Sequence, residues 1–576
     1  MRVFRRIAFV LALLGIIALI PMVITAKRMD EQLEKSKNRL LSGSFTVIGE
    51  NTSHAVKAFS DGTACYLFLP KTAKTLSFSF DAHHVLIDEK EYRSGDTLAL
   101  NTLDGLHSFC FVNENGEAFE QEQAEFILSG DIPTIYIDSG SGQYVRNEKE
   151  YYKEYCAIEI VDTDGTVEYR SVNAWSDRIR GRGNTTWQGA SAAFSPKNPY
   201  NLYLKAPADL FGMGEAEQWA LLANAYDASN LRNRFFYDYA REIGLACSPE
   251  SVSADVYIDG EYRGVYQLSE KPQVGPGRVD IAPEGVLFKM EISSRLSGKP
   301  NEYITPHAQG LVREYPEINS EKWTSYFAER MDAFDKLLFS DFSLEEMRKE
   351  IDIDSWVRMG ILEELSSNSD AWATSQYFYI KPGSDIIYAG PVWDMDFSSG
   401  NHIGNFHPEK CDLVNNLIFR CETSHSAFNE QWFSKLMKNR EFYECVSKVF
   451  SEEIYPGFAD YLNAAVDAYQ AQLGNSQRMN SLRWGLAEDD AEYFRAYMLR
   501  RAEFLKRIWG DDEPYCTVTF YGTGISPAYF KGEVCTPDVY YYTWYYDPER
   551  TRPAEAFVPE QDTVLYAEVD LPIMPR

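Results

Sequence analysis

The sequence predicts a multidomain α+β protein, on three observations. Short runs that alternate apolar and polar residues, broken by Gly and Asp, fill residues 43–130 and return after 511. Between them, apolar residues at helical spacing cover 320–366 and then roughly 429–450, 455–474 and 488–509. The chain has 576 residues, 45% of them hydrophobic and 14% aromatic, enough for several packed cores rather than one. A period of two marks strands with one face buried, and a period near 3.6 marks one face of a helix.

The formal net charge of −30 argues against nucleic acid as a partner, because phosphate backbones are held by clustered Lys and Arg. At the N-terminus, Arg2, Arg5 and Arg6 precede an uncharged apolar run from Ile7 to Ala26, closed by Lys27 and Arg28. That run is long enough to cross a bilayer. Residues 1–27 are therefore expected to be a signal anchor or signal peptide. The body is then extracytoplasmic, either membrane-anchored through this segment or secreted. Residues 28–42 read as a charged stalk. The nine cysteines form no Cys-x-x-Cys pair, which disfavours a zinc ribbon. Cys65 with Cys110, Cys411 with Cys421, and Cys516 with Cys535 lie near enough in sequence either to pair or to serve as small buried apolar residues.

Residues 43–130 read as a β-sandwich-like domain, with turns at Asp61-Gly62, Ser94-Gly95-Asp96 and Asp104-Gly105. His83 and His84 fit a turn better than a metal site. The main domain, 131–510, opens with the strands Thr134–Ile137 and Cys156–Val161. Next comes Arg178-Ile179-Arg180-Gly181-Arg182-Gly183-Asn184-Thr185-Thr186-Trp187, either a turn with surface arginines or a glycine-opened phosphate cradle. A strand follows with Lys197 at one end and Lys205 at the other. Ser229 is placed to cap a helix through Leu231, Phe235 and Tyr239, and Gly244 to stop it. Asp259-Gly260 between two apolar runs is a hairpin signal, and the second run ends in Glu270-Lys271. Ser343-Leu344-Glu345-Glu346 is a capping box. The helix bearing Trp356, Met359 and Leu365 delivers the polar loop Ser366–Asp370, a rigidly flanked position suited to a catalytic carboxylate. Residues 511–576 read as an accessory β domain. Its aromatic run Tyr540–Tyr546 is either core and edge packing or a carbohydrate platform.

The stretch that carries most chemistry is Gly390-Pro391-Val392-Trp393-Asp394-Met395-Asp396-Phe397-Ser398, soon after the strand-like Tyr377–Ile380. On an extended segment Asp394 and Asp396 share a face. They are then either two solvated acids at a strand end or a carboxylate pair whose repulsion a hard divalent cation relieves.

In order along 135–510, several blocks together resemble the spore coat protein H (CotH) kinase family: Ile179–Trp187, Lys197-Asn198-Pro199-Tyr200, Trp219–Asn224, Leu231-Arg232-Asn233, Val256–Lys271, Asn368-Ser369-Asp370 and Pro391–Asp396. The resemblance implies an atypical protein-kinase-like core between the small all-β domains. It also implies transfer of the ATP γ-phosphate to serines of surface or coat proteins, with Mg²⁺ or Mn²⁺. Asp370 matches the catalytic aspartate, and Asp394 and Asp396 match the metal-binding acids. Arg180, Arg182 and Asn184 fit the phosphate loop, Lys197 or Lys205 would meet ATP phosphate, and Glu270 would position a lysine or a metal. The chain departs from the family in two places. Tyr203 stands where many relatives carry a strand lysine. The stretch Ala371–Gln376 lacks the asparagine that some relatives use as a further metal ligand, so that Ser375 or Gln376 would have to supply an oxygen. The alternative reading is a non-catalytic surface assembly or adhesion protein built on the same scaffold.

Overall fold

The structure is a computed structural model, and it describes residues 39–139, 154–173, 175–183, 186–187, 197–317, 320–368, 370–401, 413–420, 432–486, 490–523, 525–539 and 542–569. The expected membrane segment lies outside these residues, as does nearly all of the stalk. Among the described residues no helix is long and apolar enough to cross a membrane. The architecture mixes helices with several sheets.

Residues 44–128 form a four-stranded and a six-stranded sheet. Phe45, Val47 and Phe78 of the first share a core with Leu67, Phe109, Phe111 and Phe126 of the second. That core continues into Tyr136, Val161, Tyr257 and Tyr262 of the main domain. Polar contacts cross the same boundary: the Tyr257 hydroxyl donates to the Phe68 carbonyl at 3.1 Å, and Arg478 forks onto Glu125 at 2.8 and 3.0 Å.

The first lobe of the main domain is an eight-stranded sheet: β1 (Thr134–Asp138), β2 (Glu154–Val161), β3 (Val167–Arg170), β4 (Asp177–Gly181), β5 (Tyr200–Asp209), β6 (Glu215–Leu222), β7 (Ser251–Ile258) and β8 (Glu261–Ser269). The order is β1-β7-β8-β6-β5-β4-β2-β3, and β1 also pairs with β2, so the sheet closes on itself. Alternation does the sorting. Ile179, Tyr200, Leu202, Trp219, Leu221, Val256 and Leu268 fill the interior. Their neighbours Arg180, Asn201, Tyr203, Gln218 and Ala220 take the opposite face. The β7–β8 turn has Asp259 and Gly260 at φ +51° and +78°, the two left-handed residues that a two-residue hairpin requires.

Helix α1 (Arg232–Glu242) packs Phe235, Phe236 and Tyr239 into the core of the second lobe and ends at Gly244, φ +82°. That lobe holds β9 (Val286–Glu291), β10 (Glu302–Ile304), β11 (Gly310–Tyr315), β12 (Tyr377–Ile380) and β13 (Ile387–Ala389) in the order β10-β11-β9-β12-β13. Around it run α2 (Glu321–Leu338), α3 (Ile353–Ser366), α4 (Arg440–Val449), α5 (Tyr455–Leu473), α6 (Asn475–Trp484) and α7 (Ala491–Leu505). The capping box is present, with reciprocal bonds between Ser343 and Glu346.

Helix α6 is not among the predicted helices, and its chemistry explains why. Strand β6 leaves β8 after the Leu222–Gln267 pair, so residues 262–265 of β8 lack a strand partner there. The α6 side chains take that role. Asn480 Oδ1 accepts the Val265 N–H at 3.1 Å, and Arg483 and Trp484 donate to the Tyr262 and Arg263 carbonyls, each at 2.9 Å. A helix that is polar because it satisfies buried backbone has no apolar stripe to recognise.

Residues 515–567 form a four-stranded sheet with Val518, Phe520, Trp544 and Leu565 in its core. Trp544 of the aromatic run is buried and Tyr542 and Tyr546 pack on it, while 540–541 lie outside the described residues. Cys65, Cys110, Cys516 and Cys535 are free thiols, so neither of those suggested pairs forms; Cys411 and Cys421 lie outside the described residues.

The two ends of the helical lobe are tied by a buried ion pair. Arg501 of α7 meets Glu364 of α3 at 2.7 Å, and Glu364 also accepts the N–H groups of Ile418 (2.8 Å) and Phe419 (3.2 Å). Replacing Arg501 with Met strands a buried carboxylate, and about 3–5 kcal/mol of stability should be lost. Chemical denaturation of wild type and Arg501→Met measures it.

Candidate active site

Three segments converge between the lobes: the loop after α3 (366–376), the segment after β13 (390–399), and the glycine-rich turn after β4. The Asp394 segment is not the extended strand end that its alternation suggested. Strand β13 stops at Ala389, and Asp394 has φ +66°. Ser367, Trp372, Ser375 and Ser399 share that left-handed geometry, at φ between +51° and +60°. Each such non-glycine residue costs roughly 1–3 kcal/mol, so the surroundings must impose the conformation.

The first turn of α1 imposes much of it. Asn233 Oδ1 accepts the Met395 N–H at 2.7 Å, and Asn233 Nδ2 donates to Asn224 Oδ1 at 3.1 Å. The Asp394 N–H donates to the Tyr237 hydroxyl at 3.4 Å. Arg232, fully buried, donates to the carbonyls of Ser398 (3.2 Å) and Ser399 (3.4 Å) and pairs with Asp227 and Asp490. Leu231, not Ser229, stands at the N-cap of this helix and makes no side-chain cap bond; Ser229 Oγ accepts the Leu231 N–H at 3.2 Å, and the Asp227 carboxylate accepts the Arg232 N–H at 2.8 Å. From the far side, the Ser399 N–H donates to the Ser366 carbonyl at the end of α3 (2.6 Å).

Within this frame Ser375 Oγ donates to Asp394 Oδ2 at 2.8 Å. Asp396 is 8% exposed. Burial pushes its carboxyl well above the ordinary range, and repulsion from Asp394, Asp370 and Asp227 adds to the shift. Asp370 stands in the turn after α3, its N–H donating to Asn368 Oδ1 at 3.1 Å, while Asn368 Nδ2 donates to Glu363 Oε2 at 2.9 Å. Glu363 is buried and its carboxyl is pushed up to about 8. Burial is the main cause; Asn368 opposes it, and Asp370 and Glu364 reinforce it. Glu363 and Asp227 are the site residues that sequence reasoning missed. Asn233 lies in the Leu231-Arg232-Asn233 motif, but Glu363 carries no signal beyond its place on an apolar helix.

The other predicted residues divide. Arg182 joins the acids: its guanidinium lies 5.3 Å over the Trp393 ring, which stacks on Tyr237 at 5.8 Å. Arg180 pairs in register with Asn201, and Arg180 Nε and Asn201 Oδ1 are buried without a hydrogen-bond partner among the described residues. Gly181 is required where it stands, because a Cβ there would lie 2.6–2.9 Å from the Trp187 ring. Asn184 lies outside the described residues. Lys197 is buried, donating to the Val265 carbonyl and lying 5.0 Å over Tyr266. Burial pushes it down to about 7, against the pull of Asp227 and Asp255. Lys205 is exposed, with its N–H bonded to Asp177 Oδ1 at 2.7 Å. It lies five residues beyond Tyr200, the partner of Gly181, about 16 Å along the strand. Glu270 is buried and occupied, pairing with Arg278 at 3.3 Å and accepting the Glu250 N–H at 2.8 Å. Lys271 Nζ, next to it, donates to Gln218 at 3.1 Å and lies 5.9 Å from the Tyr203 ring.

The donor set suits Mg²⁺ or Mn²⁺. The charged groups pressing on Asp396 are carboxylates, and a hard cation relieves their repulsion. Among the described residues no group of three or more His, Cys, Asp or Glu makes a ready metal cage.

A β-rich lobe with an arginine-bearing glycine turn, set over a helical lobe that presents clustered acids, defines a kinase-like protein. The profile of the CotH kinase protein family matches residues 179–505, more than half of the chain, and the chain belongs to that family. No curated protein sequence matches it. Among solved structures, the Helicobacter pylori proinflammatory kinase CtkA aligns at 10% identity and a TM-score of 0.22, over 54% of this chain and 94% of that one, a likeness too slight to carry any inference.

Glu363 has a pH signature. Its carboxyl titrates near 8 when folded and near 4.5 otherwise, so the folded state holds an extra proton between those values. The associated stability is full below about pH 4.5 and is lost as pH rises through 8. Thermal melts of Glu363→Gln between about pH 5 and 9 should decline less steeply than those of wild type.

Proposed function

We propose that this protein transfers the γ-phosphate of ATP to serine hydroxyls of a protein substrate, with Mg²⁺ or Mn²⁺, on the extracytoplasmic side of a membrane. The observation that carries this reading is the buried Asp396 carboxyl gathered with Asp394 and Asp370 beside Arg182. Like charges gathered in a poorly solvated place raise one another's pKa, and a bound cation would offset that repulsion.

The chain's own groups divide the work that phosphoryl transfer demands: holding the reactants in line, neutralising charge, and orienting the nucleophile. Asp394 and Asp396 would hold the metal, which when bound neutralises phosphate charge. Arg182, stacked on Trp393 and so fixed in direction, would offer its guanidinium to phosphate oxygens, and Arg180 has an unsatisfied buried Nε on the adjacent strand. Asp370 would orient the serine hydroxyl and take its proton. Its backbone is set for this by Asn368, itself held by Glu363. Lys197 would act as a strut under the sheet, paired with buried acids, rather than as a phosphate ligand. The charged and apolar N-terminal run supports a body outside the cytoplasm, where coat or surface proteins would be substrates.

Purified full-length protein with labelled ATP, Mn²⁺ and candidate surface proteins tests this, with mass spectrometry mapping the modified serines. Asp370→Asn should lower kcat by about 10²–10⁴-fold while leaving nucleotide binding nearly intact. Absence of both transfer and ATP binding at saturating metal would end the reading.

A further inference from the structure

We propose that Ser375 is a positioning residue for Asp394, its hydroxyl fixing the rotation of the carboxylate that holds the metal; the inference rests on the phosphotransferase reading above. Among the described residues, one hydrogen bond reaches the Asp394 carboxylate, and Ser375 Oγ donates it to Oδ2 at 2.8 Å. A carboxylate with a single restraint turns freely once that restraint is lost, and outer partners of metal ligands set both their orientation and their affinity.

The backbone supports the assignment. Ser375 and Asp394 both stand in the left-handed region, at φ +57° and +66°, where glycine or asparagine is the easier residue. Both therefore carry unfavourable conformations that bring their side chains together. The loop that presents Ser375 is anchored on each side. Trp372 is buried and stacked on Phe433 at 4.8 Å, and the Gln376 carbonyl accepts the Met290 N–H at 2.8 Å. Asp394 is held equally well through Tyr237 and the neighbouring Met395 N–H. The hydroxyl is thus delivered to the carboxylate by two rigid supports, the arrangement a metal ligand needs if its geometry is to be set before the ion arrives.

Alanine, glycine and asparagine at this position separate the chemistry from the backbone. Ser375→Ala keeps the unfavourable φ and removes the donor. Ser375→Gly removes the donor while relieving the backbone, so its melting temperature should exceed that of alanine. Ser375→Asn accepts the left-handed geometry and restores a donor through its amide. Mn²⁺ binding to the full-length chain is measured by calorimetry with a non-hydrolysable ATP analogue present, and Asp394→Asn is the control. The expected result is a Kd for Mn²⁺ weakened about 10-fold or more in both the alanine and the glycine variants, with asparagine recovering most of the loss. A glycine variant that binds Mn²⁺ as wild type does would overturn the proposal and leave the phosphotransferase reading standing. Wild type that binds no Mn²⁺ would overturn both.

Discussion

The buried guanidinium of Arg232 is the contact on which the rest of the site depends. Taking that charge out of water costs several kcal/mol, and it is tolerated because nearly every donor finds a partner. Asp227 and Asp490 take the charge, and the carbonyls of Ser398 and Ser399 take two more bonds. These partners belong to separate parts of the chain. Asp227 accepts the first N–H of α1, Asp490 precedes α7, and Ser398 and Ser399 follow Asp396 by two and three residues. Through the bond from Ser399 to Ser366, the same node reaches the helix that presents Asp370. One cation therefore sets the relation between α1, the Asp394–Asp396 segment and the loop that carries Asp370.

This dependence explains which parts were legible in the sequence. Asp370, Asp394 and Asp396 stand in short motifs whose order along the chain is specific, so their grouping followed from pattern. Their backbone did not. Alternation of Trp393, Asp394, Met395 and Asp396 reads as a strand, and only side chains from α1, remote in sequence, turn Asp394 to a positive φ. Hairpin and capping signals were legible because a local residue makes them: Asp259-Gly260 bends the chain unaided, and Ser343 and Glu346 bond each other. At the start of α1 no side chain caps Leu231: Ser229 and Asp227 each take one of the first N–H groups from positions before the cap, and Asp227 holds the Arg232 guanidinium as well.

The lysines show the same limit. Sequence placed Lys197 and Lys205 at the two ends of one strand and could not choose between them. The structure buries one against the Val265 carbonyl and exposes the other about 16 Å along the strand from the glycine turn. Cationic character near the cleft comes from Arg180 and Arg182, and from Lys271 beside Tyr203. Tyr203 shares its face with Arg180, so an aromatic ring in that row leaves Lys271 to bring an ammonium over the same part of the sheet.

Buried charge by itself does not mark Asp396 out in this protein, because several buried charges have an opposite charge or a dipole beside them. Lys197 lies within reach of Asp227 and Asp255 and bonds a carbonyl; Glu270 has Arg278; Glu364 has Arg501 and two N–H groups. In each case burial disfavours the charged form and an opposite charge or a dipole offsets it. Asp396 differs in sign and company. Burial disfavours its charge, and the neighbouring carboxylates disfavour it further. Folding alone gains nothing from such a cluster, since neutral residues of similar shape would pack as well without the repulsion. Protonation or a bound cation would each relieve that repulsion, and the like-charged company of Asp396, rather than its burial, separates it from the other buried charges around it.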